Sequence, residues 1–88
     1  MHSELFTTST QAKTIRLDEL KSGEKATIRQ IKGTAGEEVH LMELGLLPGT
    51  TVELIKRAPM GDPIEIRVRS YHLSIRCAEA RSVMVERS

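Results

Sequence analysis

The sequence predicts a mainly β fold, a small barrel of about five strands with one amphipathic α-helix at about residues 35–44 and short helical turns. Residues 64–69, Ile-Glu-Ile-Arg-Val-Arg, alternate strictly between apolar and polar, which is the period of a strand with one buried face. Similar short runs recur at spacings of roughly 8–12 residues, with Gly and Pro between them. A length of 88 residues allows one domain with a thin core, and an SH3-like barrel fits that length.

Four further short runs predict the other strands, near residues 26–31, 51–54, 73–76 and 83–85. A helical turn is predicted at residues 17–20 and a tight turn at residues 78–80. Residues 58–63 are predicted to form a hairpin loop, because Pro59 and Pro63 cannot donate hydrogen bonds to a ladder.

The predicted helix has a start signal, an apolar face and a stop signal. Thr34 can cap the first turn while Glu37 reaches back, which is the capping-box arrangement. Gly45 ends the pattern, because glycine readily takes the left-handed conformation that closes a helix, and Pro48 follows. The apolar face is predicted from residues at three- to four-residue spacing: Val39, Met42 and Leu46, widened by Leu41 and Leu44.

The composition argues against several classes of function. With 13 basic and 12 acidic residues the net charge is +1, so no general attraction to nucleic acid is expected. Cys77 is the only cysteine, which excludes an internal disulfide and a cysteine-based zinc site within one chain; we interpret it as a reduced thiol. No Ser–His–acid or Cys–His spacing stands out, so the chain is predicted not to be an enzyme.

No apolar run approaches the ~18 residues of a membrane span, and the first residues lack the order of a signal peptide. We therefore expect a cytoplasmic protein that does not insert into the membrane. The polar residues 1–13 are predicted to form a flexible tail that precedes a single domain at residues 14–88.

The segment from the helix to the following turn is the predicted protein-docking surface. A small barrel has little room for all of its leucines, and the surplus would form an apolar patch of the kind that marks interfaces. The predicted docking residues are Leu41, Leu44, Leu46, Leu47, Pro48 and Gly49. The alternative is that the helix plugs one end of the barrel and that its leucines are all core.

Two charged groups could carry chemistry, although a simpler interpretation stands beside each. Glu37, His40 and Glu43 lie on one side of the helix, where they could hold Fe²⁺ or Zn²⁺ if His72 approached, but a solvated helix face explains them. We predict no tight metal site and no cofactor. The outward-facing basic residues could supply an arginine finger to a GTPase or simply keep the strands soluble: Lys56, Arg57, Arg67, Arg69 and Arg76.

Three motifs in fixed order carry a resemblance to a known family. They are Leu44-Gly45-Leu46 followed by Pro48-Gly49, then residues 61–64, Gly-Asp-Pro-Ile, then residues 73–76, Leu-Ser-Ile-Arg, followed by Glu79-Ala80. Over residues 15–86 the chain resembles the FeoA family and, more distantly, the C-terminal SH3-like domain of repressors of the diphtheria toxin repressor type. Ser70 stands where glycine is common in the family.

The resemblance implies a small accessory protein of bacterial ferrous iron uptake. It would act by contact with the cytoplasmic region of the FeoB transporter, whose G domain handles guanine nucleotide. The alternative is a divalent-metal-responsive switch related to the iron-dependent repressors. Self-association through an exposed strand edge is compatible with either hypothesis.

Overall fold

The fold is that of a computed structural model, which describes residues 14–88. The predicted flexible tail at residues 1–13 lies outside the described residues. Six strands form one antiparallel sheet in the order β1-β6-β2-β3-β4-β5. Their bounds are β1 Thr14–Arg16, β2 Lys25–Ile31, β3 Thr51–Arg57, β4 Ile64–Val68, β5 Tyr71–Ile75 and β6 Val83–Arg87.

Three helical segments connect the strands. A 3-10 turn spans Leu17–Glu19, α1 spans Ala35–Glu43, and the one-turn helix α2 spans Cys77–Ala80. The mainly β prediction is therefore confirmed, as are the main helix and its capping box. The amide of Glu37 donates to the Thr34 hydroxyl at 3.1 Å, and the amide of Thr34 donates to the Glu37 carboxylate at 2.8 Å.

The strand that the sequence did not predict is β1. It has three residues and pairs with the last strand, Ile15 opposite Val85. Three residues are too few to show an alternating pattern, so the signal for β1 exists only in the tertiary pairing. Where about five strands were predicted, residues 14–88 form six.

The core lies on one face of the sheet. Most of its side chains come from the strands, and only a few come from the helical turns and loops, so the sheet must curve around its own apolar face. The buried apolar residues are Leu17, Leu20, Ala26, Ile28, Ile31, Leu41, Leu46, Val52, Leu54, Ile64, Ile66, Val68, Ile75, Ala80, Val83 and Val85.

A bulge in β2 allows the apolar residues on both sides of it to point into the core. Ala26 and Ile28 share one parity and Ile31 has the other, yet all three are buried. The register with β6 shifts between Ile28 and Gln30, which leaves both Arg29 and Gln30 outside. One extra residue in a bulge reverses the inward and outward positions that follow it.

The helix α1 lies on the surface with a single inward side chain. Leu41 is its only buried residue, with 1% of its surface exposed. Val39 and Met42, which the sequence placed on the apolar face, are 55% and 38% exposed. The predicted apolar face was therefore wrong for Val39 and Met42, because α1 turns only the side that carries Leu41 toward the core, while Leu44 is half-buried and Leu46 is buried just beyond the helix.

Candidate functional site

A Schellman motif ends α1 and sets the shape of the predicted docking segment. The amide of Gly45 donates to the Met42 carbonyl at 2.9 Å, and the amide of Leu46 donates to the Leu41 carbonyl at 3.1 Å. Gly45 has φ of +99°, the left-handed conformation that this motif requires. Leu41 and Leu46 are both buried, as the hydrophobic contact of a Schellman motif demands.

A tight turn follows at once and presents Leu47. The amide of Thr50 donates to the Leu47 carbonyl at 3.0 Å across Pro48 and Gly49, and Gly49 has φ of +92°. Proline followed by a glycine of positive φ is the signature of a type II turn. The amide of Gly49 also donates to the carbonyl of Ile28 in β2 at 2.7 Å. Backbone hydrogen bonds thus hold the turn firmly against the sheet.

Tyr71 fastens the C-terminal end of α1 to the β4–β5 hairpin. Its hydroxyl donates to the carbonyl of Leu44 at 2.6 Å, which occupies one of the carbonyls that a helix end leaves free. The ring lies so close to Gly45 that a Cβ atom there would stand 2.0 Å from the tyrosine hydroxyl oxygen. Two independent reasons therefore require glycine at this position: the positive φ of the backbone and the close approach of the Tyr71 ring.

We call the outward apolar side chains of this segment the docking patch: Val39, Met42, Leu44, Leu47 and Pro48. Val39, Met42 and Leu47 are among the few large apolar side chains that stand exposed in residues 14–88, and Leu44 is half-buried. Val39 and Met42 are three residues apart on α1 and share one side of it. Exposed apolar side chains on a rigid backbone are a common feature of protein interfaces.

The structure divides the six predicted docking residues into two groups. Leu47, Pro48 and Gly49 are exposed and Leu44 is half-buried. Leu41 and Leu46 are buried in the core, so their inclusion in a contact surface is corrected: the Schellman motif turns both of them inward. The predicted docking segment ran from Val39 to Gly49, but Val39 and Met42 were not among the six docking residues, although Val39 lies nearly opposite the inward Leu41 on a helix.

Two of the three predicted metal candidates, His40 and Glu37, serve other contacts, and Glu43 makes no ion pair within residues 14–88. The His40 ring Nε2 atom lies 3.1 Å from the Glu79 carboxylate of α2, and the Glu37 carboxylate caps its own helix. His72 contacts Glu65 at 3.1 Å on the neighbouring strand instead of approaching α1. Within residues 14–88 no group of three or more His, Cys, Asp or Glu side chains could hold a metal ion.

A shallow groove of about 300 Å³ lies between α1 and α2, lined by Gly36, Glu37, His40, Leu41, Ala78, Glu79 and Ser82. The pair of His40 and Glu79 bridges it, and the second oxygen of Glu79 accepts from the amide of Arg76 at 3.0 Å. The contact between α1 and α2 across this groove is therefore the polar pair of His40 and Glu79.

The candidate arginine-finger residues differ in their surroundings. Arg67 pairs with Glu53, and Lys56 lies 3.9 Å from Glu65. The guanidinium of Arg57 donates to the carbonyls of Asp18 and Leu20, which ties β3 to the 3-10 turn. These contacts are structural. Arg69 and Arg76 are exposed and make no ion pair with any described residue.

Cys77 belongs to the contact between α2 and the β3–β4 loop. Its thiol donates to the carbonyl of Gly61 at 3.2 Å, and its amide donates to the Asp62 carboxylate at 2.9 Å. Partial burial, and then the negative charge of Asp62, raise the pKa of this thiol. A raised pKa lowers the thiolate fraction at neutral pH, which is the opposite of what a nucleophilic cysteine needs.

No helix among residues 14–88 combines the length and the apolar character that crossing a bilayer requires.

The family is settled by comparison with known proteins, because the FeoA domain profile matches residues 15–87. The chain belongs to the FeoA family. The match covers all of the strands and helices described above except Thr14, the first residue of β1, so the resemblance stated from the motifs is confirmed.

FeoA relatives include a protein joined to its transporter. The Fe(2+) transport protein A/Fe(2+) transporter FeoB fusion protein of Porphyromonas gingivalis is 32% identical over 72 residues. This match covers 82% of the present chain and 8% of the fusion protein, so the chain corresponds to a small part of that relative.

Solved FeoA structures share the fold. A FeoA-like protein from Clostridium acetobutylicum is 35% identical with a TM-score of 0.81, over 88% of this chain and 90% of that one. The FeoA of Stenotrophomonas maltophilia, solved with zinc and described as an SH3 domain protein, is 25% identical with a TM-score of 0.72, over 82% and 89%. A manganese-dependent transcriptional repressor shares the fold alone, at 12% identity and a TM-score of 0.80, over 89% and 38%.

Proposed function

We propose that this FeoA protein is an accessory factor of ferrous iron uptake that acts in the cytoplasm by binding FeoB through the docking patch. The fusion of the two proteins in Porphyromonas gingivalis is the observation that carries the proposal. Fusion keeps two binding modules at a high effective concentration, which benefits proteins that otherwise meet as separate chains.

The docking patch supports contact rather than catalysis. Its apolar side chains stand on a helix end and a turn that the Schellman motif, the contact to Ile28 and the Tyr71 hydroxyl already hold in place. A preordered surface loses little conformational entropy when it binds. Contact at this surface would let the protein influence the G domain of FeoB without contributing a catalytic residue.

Leu47→Asp is expected to weaken binding to the cytoplasmic region of FeoB at least tenfold. A carboxylate placed in the apolar centre of an interface loses water without gaining a partner. Leu47 is 36% exposed in the free protein, so losing its partial burial should lower the free energy of unfolding by about 1–2 kcal/mol, which leaves the domain folded at the binding temperature. Biolayer interferometry and urea denaturation on the same preparations measure the two quantities.

Met60→Asp is the matched control. Met60 is 92% exposed at the tip of the β3–β4 loop, outside the docking patch, and the chemical change is the same. We expect wild-type affinity from this variant. Equal affinity of wild type, Leu47→Asp and Met60→Asp would show that the docking patch is not where FeoB binds.

A metal-responsive switch is the second candidate, favoured by the zinc complex of the Stenotrophomonas maltophilia relative. Within residues 14–88 the pairs of candidate ligands are His40 with Glu79 and His72 with Glu65, each 3.1 Å apart, and two ligands rarely close a coordination shell. We expect anaerobic titration calorimetry with Fe²⁺ or Zn²⁺ to give no binding at micromolar concentrations. Tighter binding that His40→Ala abolishes would favour the switch instead.

A further inference from the structure

Two glutamates, Glu38 and Glu43, lie beside the helical part of the docking patch, and we call them its acidic border. On a helix, residues four apart are neighbours, so Glu38 stands beside Met42 and Glu43 stands beside Val39. With about 3.6 residues per turn, the two carboxylates fall on opposite sides of the apolar strip formed by Val39 and Met42. All four side chains are exposed.

Among residues 14–88, no ion pair balances the charges of this border. On the sheet, carboxylates contact arginines: Glu53 with Arg67, Glu86 with Arg29 and Glu24 with Arg87. Neither Glu38 nor Glu43 has an ion pair within residues 14–88. Residues 35–49 also contain no lysine or arginine at all.

Glu43 is also placed where the helix itself disfavours a negative charge. It is the last residue of α1, where the free carbonyls already carry partial negative charge. An uncompensated carboxylate there costs some helix stability, whereas a cation from a binding partner would remove this cost. The border is therefore suited to contact with positive charge supplied from outside.

We propose that the docking patch receives a segment of FeoB with an apolar centre and lysine or arginine on both flanks. This inference rests on the proposed function and adds the chemistry of the partner. The apolar side chains would be covered at the centre, while Glu38 and Glu43 would meet the basic flanks at the rim. Rim charges of this kind mainly accelerate association and make it sensitive to salt.

The test compares two variants that change the net charge equally. Glu38→Gln with Glu43→Gln removes both border charges, whereas Ser22→Lys with Ser74→Lys adds two positive charges at exposed positions outside the patch. Binding of each protein to the cytoplasmic region of FeoB is measured between 50 and 500 mM NaCl, values on the order of the range over which surface charges become screened.

We expect the Gln variant to bind about tenfold more weakly at 50 mM NaCl, with a slower association rate and little salt dependence. The Lys variant should bind as wild type within about threefold and keep its salt dependence. If the Gln variant matches wild type at every salt concentration while Leu47→Asp abolishes binding, the basic partner is refuted but the proposed function stands. If wild type does not bind FeoB, both proposals fall.

Discussion

Gly45→Ala is expected to lower the free energy of unfolding by about 2–3 kcal/mol. The φ of +99° strains any residue with a Cβ, at a cost of roughly 1 kcal/mol. The new methyl group would also stand 2.0 Å from the Tyr71 hydroxyl oxygen, so the ring must move and its hydrogen bond to Leu44 is lost, at roughly 1 kcal/mol more. Urea denaturation followed by far-ultraviolet circular dichroism measures the change.

Gly23→Ala is a control that carries the backbone cost of a positive φ without the collision with Tyr71. Gly23 has φ of +90°, but nothing lies within 4 Å of a Cβ added there. It should therefore show the conformational cost of about 1 kcal/mol without the collision. If both alanine variants lose the same stability, Tyr71 does not constrain the end of α1. Because the docking patch begins at this helix end, Gly45→Ala should also weaken binding to FeoB.

Leu41→Ala is expected to cost about 3 kcal/mol and to loosen α1 more than the sheet. Leu41 is the only buried side chain of this helix, so its removal leaves a cavity and takes away the main apolar contact of α1. Hydrogen exchange should show faster exchange of the amides of residues 38–44 than global unfolding explains. Denaturation of the same variant gives the overall loss.

Val39→Ala is the control on the same helix. Val39 is 55% exposed, and alanine favours helix more than valine does, so stability should hold or rise by a few tenths of a kcal/mol. Protection of residues 38–44 should stay as in wild type. A Leu41→Ala variant that is destabilised by less than 1 kcal/mol would mean that the helix is held by its polar contacts, above all His40 with Glu79.

The fold was predictable wherever a local pattern and the tertiary packing agree. Residues 64–69 alternate without interruption, and β4 lies within them; Thr34 and Glu37 form the predicted capping box. The short β1 escaped because only its pairing with β6 makes it a strand. In the β4–β5 hairpin the positive φ, at 56°, falls at Arg69 and not at Ser70, where glycine is common in the family.

The sequence predicted the exposure of only some side chains in the proposed docking segment. The sequence placed the docking surface around the end of α1, and exposed apolar side chains do gather there. It could not assign each leucine, because the direction of a side chain near a helix end depends on the turn that follows. Leu46 and Leu47 are adjacent, yet the Schellman motif turns the first inward and the type II turn leaves the second outside.

The pairing of the first and last strands has a consequence for how this domain can be tethered. Thr14 lies opposite Glu86, so the two backbone segments run side by side at one corner of the sheet. A linker attached beyond either residue would leave from that corner, and neither segment belongs to the docking patch. A covalent connection to a transporter could thus be made in either order along a polypeptide without blocking the contact surface.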